Sequence, residues 1–251
     1  MRISGLKATV LSVLPFFLLS CATNYKVVQS KRTEYAISST LAADSSVIKT
    51  YLPYKLKMDS QMNVVIGYSG IALSKKSETG ESLLGNFFSD AVLNEAKKID
   101  PNIDFTMPST NGGLRNDLPI GPVTLSNVFE LMPFENELLI FELKGTDVKA
   151  LVDMIAKSNG QPVAGITITI KNRKAVSVLI NGQPFDSSKN YRVLTSDYIA
   201  GGGDGVDCFK NPVTRTVAGL KVRDALISYV KEQQAKGMKI SAKLDGRITH
   251  D

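Results

Sequence analysis

Residues 163–198 read VAGITITIKNRKAVSVLINGQPFDSSKNYRVLTSDY. β-Branched residues fill the runs 163–170 and 175–180, the turn Lys171-Asn172-Arg173-Lys174 separates them, and Asn181-Gly182 is a tight-turn pair leading toward 191–198. The pattern predicts an antiparallel meander of three strands. Upstream, Val148, Leu151, Val152 and Ile155 fall at helical spacing after Thr146, an expected N-cap, with Asp147 in the first turn. Downstream, Val222, Ala225, Leu226, Tyr229 and Val230 mark a helix over 221–236, followed by a closing strand over 247–249. Earlier still, Leu84, Phe87, Phe88, Ala91 and Val92 define a core helix opening at 80–82. A strand is expected at 64–67, others at 104–107 and 138–143, and a helix over 45–62 disturbed at Pro53. Helices and strands come in clusters rather than in strict alternation. The expected fold class is α+β, a single domain of mixed and antiparallel sheets with packed helices.

Length and composition set the outer bounds. The chain has 251 residues, 43% hydrophobic and 22% charged, which suits one packed domain with an extra terminal segment and excludes a disordered or collagen-like chain. Its formal charge is +6. Setting aside Arg2 and Lys7 leaves 28 basic against 24 acidic residues, with no basic stripe, so no nucleic-acid partner is expected.

The first twenty residues have a basic start and an apolar run over 10–19 that ends in Leu18-Leu19-Ser20-Cys21. As a helix that run is about 15 Å long, half of the roughly 30 Å of bilayer hydrocarbon, so it reads as a signal segment rather than a span. The ending resembles the bacterial lipoprotein box. On that reading 1–20 is a signal peptide, Cys21 carries the lipid that anchors the chain to a bacterial membrane on the periplasmic or surface side, 21–62 is a tether and extension, and 63–251 is the domain. Residues 22–44 read as a polar spacer with one short edge element around 25–28. Cys208 is then left without a partner, and no disulfide is expected.

Three loops stand out chemically. In Thr110-Asn111-Gly112-Gly113-Leu114-Arg115, paired glycines allow close backbone approach and Arg115 supplies a planar cation, a combination suited to an anion. Met132-Pro133-Phe134-Glu135-Asn136 sets an aromatic beside a proline with an amide two residues on. The third loop, 198–205, starts at Tyr198 and continues into four glycines interrupted by Asp204. Two aromatic rings, an amide, an arginine and an aspartate are the parts of a nucleotide pocket: rings for a base, an amide for its edge, a carboxylate for sugar hydroxyls. Each part also has a plain structural reading, in which Phe134 is core, the glycines serve turns and Arg115 pairs with Asp117.

The order of these loops, with Glu81-Ser82-Leu83-Leu84-Gly85-Asn86 and Asp90 before them and Leu143-Lys144-Gly145 after the second, resembles the C-terminal domain of 5'-nucleotidases over about 64–249. The family motifs have the form Asn-Gly-Gly-Gly-Ile-Arg, then Pro-Phe-x-Asn, then aromatic-x-x-Gly-Gly-Asp-Gly. The resemblance implies a nucleotide or nucleoside ligand, with Phe134 and Tyr198 clamping the base, Asn111 and Asn136 contacting it, Gly113 giving room, Asp204 accepting from the ribose and Arg115 meeting the phosphate. Tyr198 stands where phenylalanine is frequent, and 77–80 lacks the family's further arginines.

The resemblance also implies a metallophosphatase domain whose two metal ions activate water. This sequence has one histidine, His250, read as a frayed terminal residue, and so no set of residues for such a site or for a Ser/His/Asp or Cys/His arrangement. The expectation is a chain with no catalytic residue, cofactor or metal site of its own, serving as the substrate-recognition component of a 5'-nucleotidase whose divalent metals sit on a separate metallophosphatase-domain protein. The alternatives are a surface lipoprotein that binds nucleosides or nucleotides without hydrolysis, and an adhesin-like structural module.

Overall fold

The computed structural model describes residues 26–77 and 79–251; the expected signal segment and Cys21 lie outside the described residues. The chain divides into two units, 1–49 and 50–251. Residues 26–44 hold no strand, so the expected edge element is absent from their described part. Helix α1 (Ser45–Met62) follows, its start capped by Asp44, whose Oδ1 accepts from the Ser46 amide at 2.8 Å. Pro53 lies inside α1, which passes it as one element. Its neighbours are exposed, so water can take the carbonyl the proline leaves unpaired.

Strand β1 (Val65–Ser69) leads to α2 (Leu83–Lys97), where the Ser82 hydroxyl accepts from the Gly85 amide and caps the helix. Then come β2 (Phe105–Met107), a 3₁₀ turn at Asn111–Gly113, β3 (Gly121–Thr124), α3 (Leu125–Leu131), β4 (Glu137–Lys144) and α4 (Gly145–Lys157). The last part comprises β5 (Ile166–Lys171), β6 (Lys174–Ile180), β7 (Gln183–Pro184), β8 (Asn190–Ser196), α5 (Asp197–Ala200), a 3₁₀ turn at Gly203–Gly205, β9 (Thr214–Lys221), α6 (Val222–Ala235) and β10 (Ile248–His250). The expected α+β class with mixed sheets is what the chain forms.

The expected meander is corrected in its third strand. β5 and β6 pair antiparallel, but Asn181-Gly182 turns only into the two-residue β7, and β10 joins β5 in parallel, giving the order β10-β5-β6-β7. β8 leaves for a second sheet, β2-β8-β4-β9, where it runs parallel to β2 and antiparallel to β4. The reason is burial: residues 193–196 of β8 are buried in an unbroken run, the mark of a central strand covered on both faces. β4 shows the two faces. Leu138 and Ile140 join the core with α2 and α6, whereas Leu139, Phe141 and Leu143 join the core under α4. Buried hydroxyls fasten the β2–β8 pair, Thr106 Oγ1 donating to the Leu194 carbonyl and Thr195 Oγ1 to that of Met107, both at 2.8 Å.

Two further expectations shift. Helix α4 starts at Gly145, so Lys144 and not Thr146 is its N-cap, with no side-chain cap bond; Gly145 itself packs so tightly that a Cβ there would lie 2.4 Å from the Ser187 carbonyl oxygen. His250 is not frayed: it closes β10 beside Ile170.

Candidate nucleotide-binding cleft

Register brings the three loops together. β2 and β8 are parallel with Met107 beside Thr195, so the chain leaves both strands at one end of the sheet. β4 is antiparallel to β8 and pairs Leu138 with Ser196, so the segment entering β4 arrives at that same end, as does the end of β9, where Lys221 faces Glu137. Residues 109–115, 132–136 and 197–205 therefore meet, as ligand loops do at the carboxyl ends of strands. Between them lies a cleft of about 650 Å³, lined by Ser109, Gly112, Gly113, Arg115, Phe134, Glu135, Asn136, Tyr198 and Asp204. That volume is within the range of small-molecule sites.

Six of the seven expected site residues line this cleft. Asn111 does not: its amide donates to Gln161 Oε1 at 2.8 Å and its side-chain nitrogen to the Gly160 carbonyl at 3.2 Å, turning it toward the loop after α4. Gly113 leaves room for the Ser109 hydroxyl, which lies 2.0 Å from where a Cβ would be and would have to rotate away from one. Arg115 has no carboxylate partner among the described residues, and Asp117 instead accepts from Ser74 and the Lys75 amide. The Arg115 guanidinium lies 5.3 Å from the centre of the Phe134 ring, a cation–π arrangement inside the cleft.

Asp204 sits at the tip of the glycine loop with φ +53°, between Gly202 and Gly205, which also have positive φ. Its Oδ2 accepts from Thr110 Oγ1 and its Oδ1 from Tyr198 Oη at 2.9 Å. The bond to this carboxylate raises the Tyr198 phenol above its ordinary range. Asn136 Nδ2 donates to Asp197 Oδ1 at 2.9 Å, tying the second loop to the start of α5.

The upstream motif has a structural role. Glu81 accepts from Asn86 Nδ2 at 2.6 Å and from the amides of Asp245 and Gly246, while Asp90 takes both terminal nitrogens of Arg247 at 2.7 and 2.9 Å. These contacts hold the 243–247 segment to α2. Among the described residues no group of three or more His, Cys, Asp or Glu is placed to hold a metal ion, and no helix is long and apolar enough to cross a membrane.

The fold and the cleft define an α+β domain that gathers rings, an amide, a carboxylate and a cation from three loops at one end of a sheet. The 5'-nucleotidase C-terminal domain model matches residues 63–211, and the chain belongs to that family. It is 31% identical to the trifunctional nucleotide phosphoesterase YfkN of Bacillus subtilis, over 78% of this chain and 14% of that protein. A cell wall protein of Listeria monocytogenes is 30% identical over 69% of this chain and 24% of its own length. Among solved structures, the 5'-nucleotidase precursor of Thermus thermophilus superposes with a TM-score of 0.69 and 26% identity, covering 80% of this chain and 42% of that one. The chain thus spans a quarter or less of the two curated relatives.

Proposed function

We propose that this chain is the substrate-recognition component of a 5'-nucleotidase. Phe134 and Tyr198 hold the base between them, Asn136 reads its edge, Asp204 accepts from the ribose, Gly113 lets the backbone approach and Arg115 meets the phosphate. What carries the reading is the meeting of these six residues in one cleft, although they come from three loops separated by up to 91 positions between Gly113 and Asp204. The name of the Bacillus relative supports a nucleotide as the ligand. Asn111 is left out because both its amide groups are engaged elsewhere.

The described residues offer no metal-ligand cluster, and the sequence has a single histidine. In this reading water activation falls to a metallophosphatase unit carried by a separate chain, which would supply the divalent metals. This chain holds and orients the nucleotide. Lipid on Cys21 would anchor it at the cell envelope, with 21–62 as the tether and 63–251 as the binding domain; the cell-wall name of the Listeria relative is consistent with such a location.

The test is direct. The purified chain, incubated with AMP and Mg²⁺, Mn²⁺ or Zn²⁺, is expected to bind the nucleotide and to release no phosphate above the buffer rate. Metal-dependent turnover by this chain alone would overturn the proposal.

A further inference from the structure

Arg223, in the first turn of α6, does not line the cleft, yet its contacts converge on the loop that carries Phe134. The residue is only 6% exposed. A buried guanidinium is costly unless it is paired, so where it spends its donors shows what it is for. One terminal nitrogen donates to the Phe134 carbonyl at 3.4 Å and the other pairs with Glu135 Oε1. Its planar face lies 3.9 Å from the centre of the Phe129 ring on α3. Nε has no partner. The fork is thus turned toward 134–135 and against Phe129 even at the expense of one donor.

Its two neighbours grip the same loop. Lys221 Nζ lies 2.5 Å from Glu135 Oε2, and the Val222 amide donates to the Asn136 carbonyl at 2.9 Å. Three consecutive residues at the β9–α6 junction therefore hold three consecutive residues of the cleft wall. Glu135 lines the cleft and its side chain is 60% exposed. Two cations, Arg223 and Lys221, face this one carboxylate and leave the wall with a net positive charge, which removal of Arg223 would cancel beside an incoming phosphate.

We infer that Arg223 is a positioning residue for the cleft: it stays outside the ligand cleft, but it holds the backbone that carries the Phe134 ring and, with Lys221, offsets Glu135 beside the anion. Its effect on affinity rests on the nucleotide-binding reading above, whereas its effect on the loop does not.

The test uses the full chain with Arg223→Met, which removes charge and fork, and Glu135→Gln, which breaks the same ion pair from the exposed side. Amide hydrogen exchange is followed at Val222, whose amide is bonded to the Asn136 carbonyl, and over 83–97, and affinities for adenosine and AMP are measured in parallel. Both variants are expected to exchange faster at the Val222 amide, with 83–97 unchanged. Arg223→Met should bind adenosine about tenfold more weakly, as expected for loss of a charged hydrogen-bonding group, and should lose more for AMP than for adenosine. Glu135→Gln should lose affinity for adenosine but not further for AMP, since the cations of Lys221 and Arg223 both remain beside the phosphate. If Arg223→Met fails to fold, Glu135→Gln alone decides. Exchange at the Val222 amide equal to wild type in the folded variants overturns the inference. Should the wild type bind neither probe, the nucleotide reading falls, and exchange still judges Arg223.

Discussion

Tyr198 Oη donates to Asp204 Oδ1 at 2.9 Å, across the five residues that separate them on one loop. With Thr110 on the other oxygen, both acceptor atoms of Asp204 are already engaged before any sugar arrives. A phenylalanine at 198 would keep the ring and release one of them. Tyr198→Phe is therefore expected to raise the preference for a ribonucleoside over its 2',3'-dideoxy analogue by about two- to tenfold, the worth of one hydrogen bond. Dissociation constants for adenosine and dideoxyadenosine check this, and an unchanged ratio would contradict it.

Gly203 sits under the same ring. A Cβ there would fall 2.5 Å from Tyr198 Cε1 and 2.6 Å from the Tyr198 carbonyl oxygen, so the ring and its backbone must move. Gly203→Ala is expected to weaken adenosine binding about fivefold or more through lost stacking, while the protein stays folded at 25 °C. Calorimetric titration alongside circular dichroism separates the two effects.

Arg115 rests 5.3 Å from the Phe134 ring; on the proposed function the base takes that place, and Arg115 would compete with it until a phosphate draws the guanidinium away. Arg115→Ala should then affect two ligands in opposite senses. Adenosine is expected to bind about two- to fivefold tighter, the strength of an exposed cation–π contact, and AMP about tenfold weaker, the strength of a charged hydrogen bond. Parallel losses for both ligands would show that Arg115 does not occupy the base position.

Burial pushes the Cys208 thiol up from 9.0 to about 12. At pH 8 the thiolate, the reactive form, is then about a thousandfold scarcer than in a free thiol. Iodoacetamide should label native Cys208 about a thousandfold more slowly than urea-unfolded Cys208. The sign for stability follows: the folded state favours the protonated thiol, so this contribution is complete below pH 9 and is lost as pH rises toward 12.

The legible parts of the sequence were those where local chemistry and packing agree. Helix α2 announces itself through Ser82 and a clean apolar stripe, and it forms where the stripe places it. Strand β3 and helix α3 were not read, because Gly121 and Pro122 interrupt any strand period and the capping box pairs Thr124 with Asn127 instead of the expected Glu or Gln. β9 was missed because it is largely exposed and shows no alternation. At the cleft, residue types identified six lining positions, but sequence order could not show that Asn111 turns to residues 160–161. Thr110 lay in the quoted loop, and its neighbour role beside Asp204 is visible only once the loops meet. Arg223 reads as one more polar residue at a helix start; only its burial reveals it.

The central claim is that Phe134 and Tyr198 together grip a nucleobase. Its most direct test is the affinity of the full chain for AMP, with Phe134→Ala and Tyr198→Ala measured beside wild type under conditions where all three are folded. The expected result is measurable binding by wild type and a loss of about 1–3 kcal/mol for each truncation, the worth of one stacked ring. Wild-type binding that survives both substitutions undiminished would contradict it.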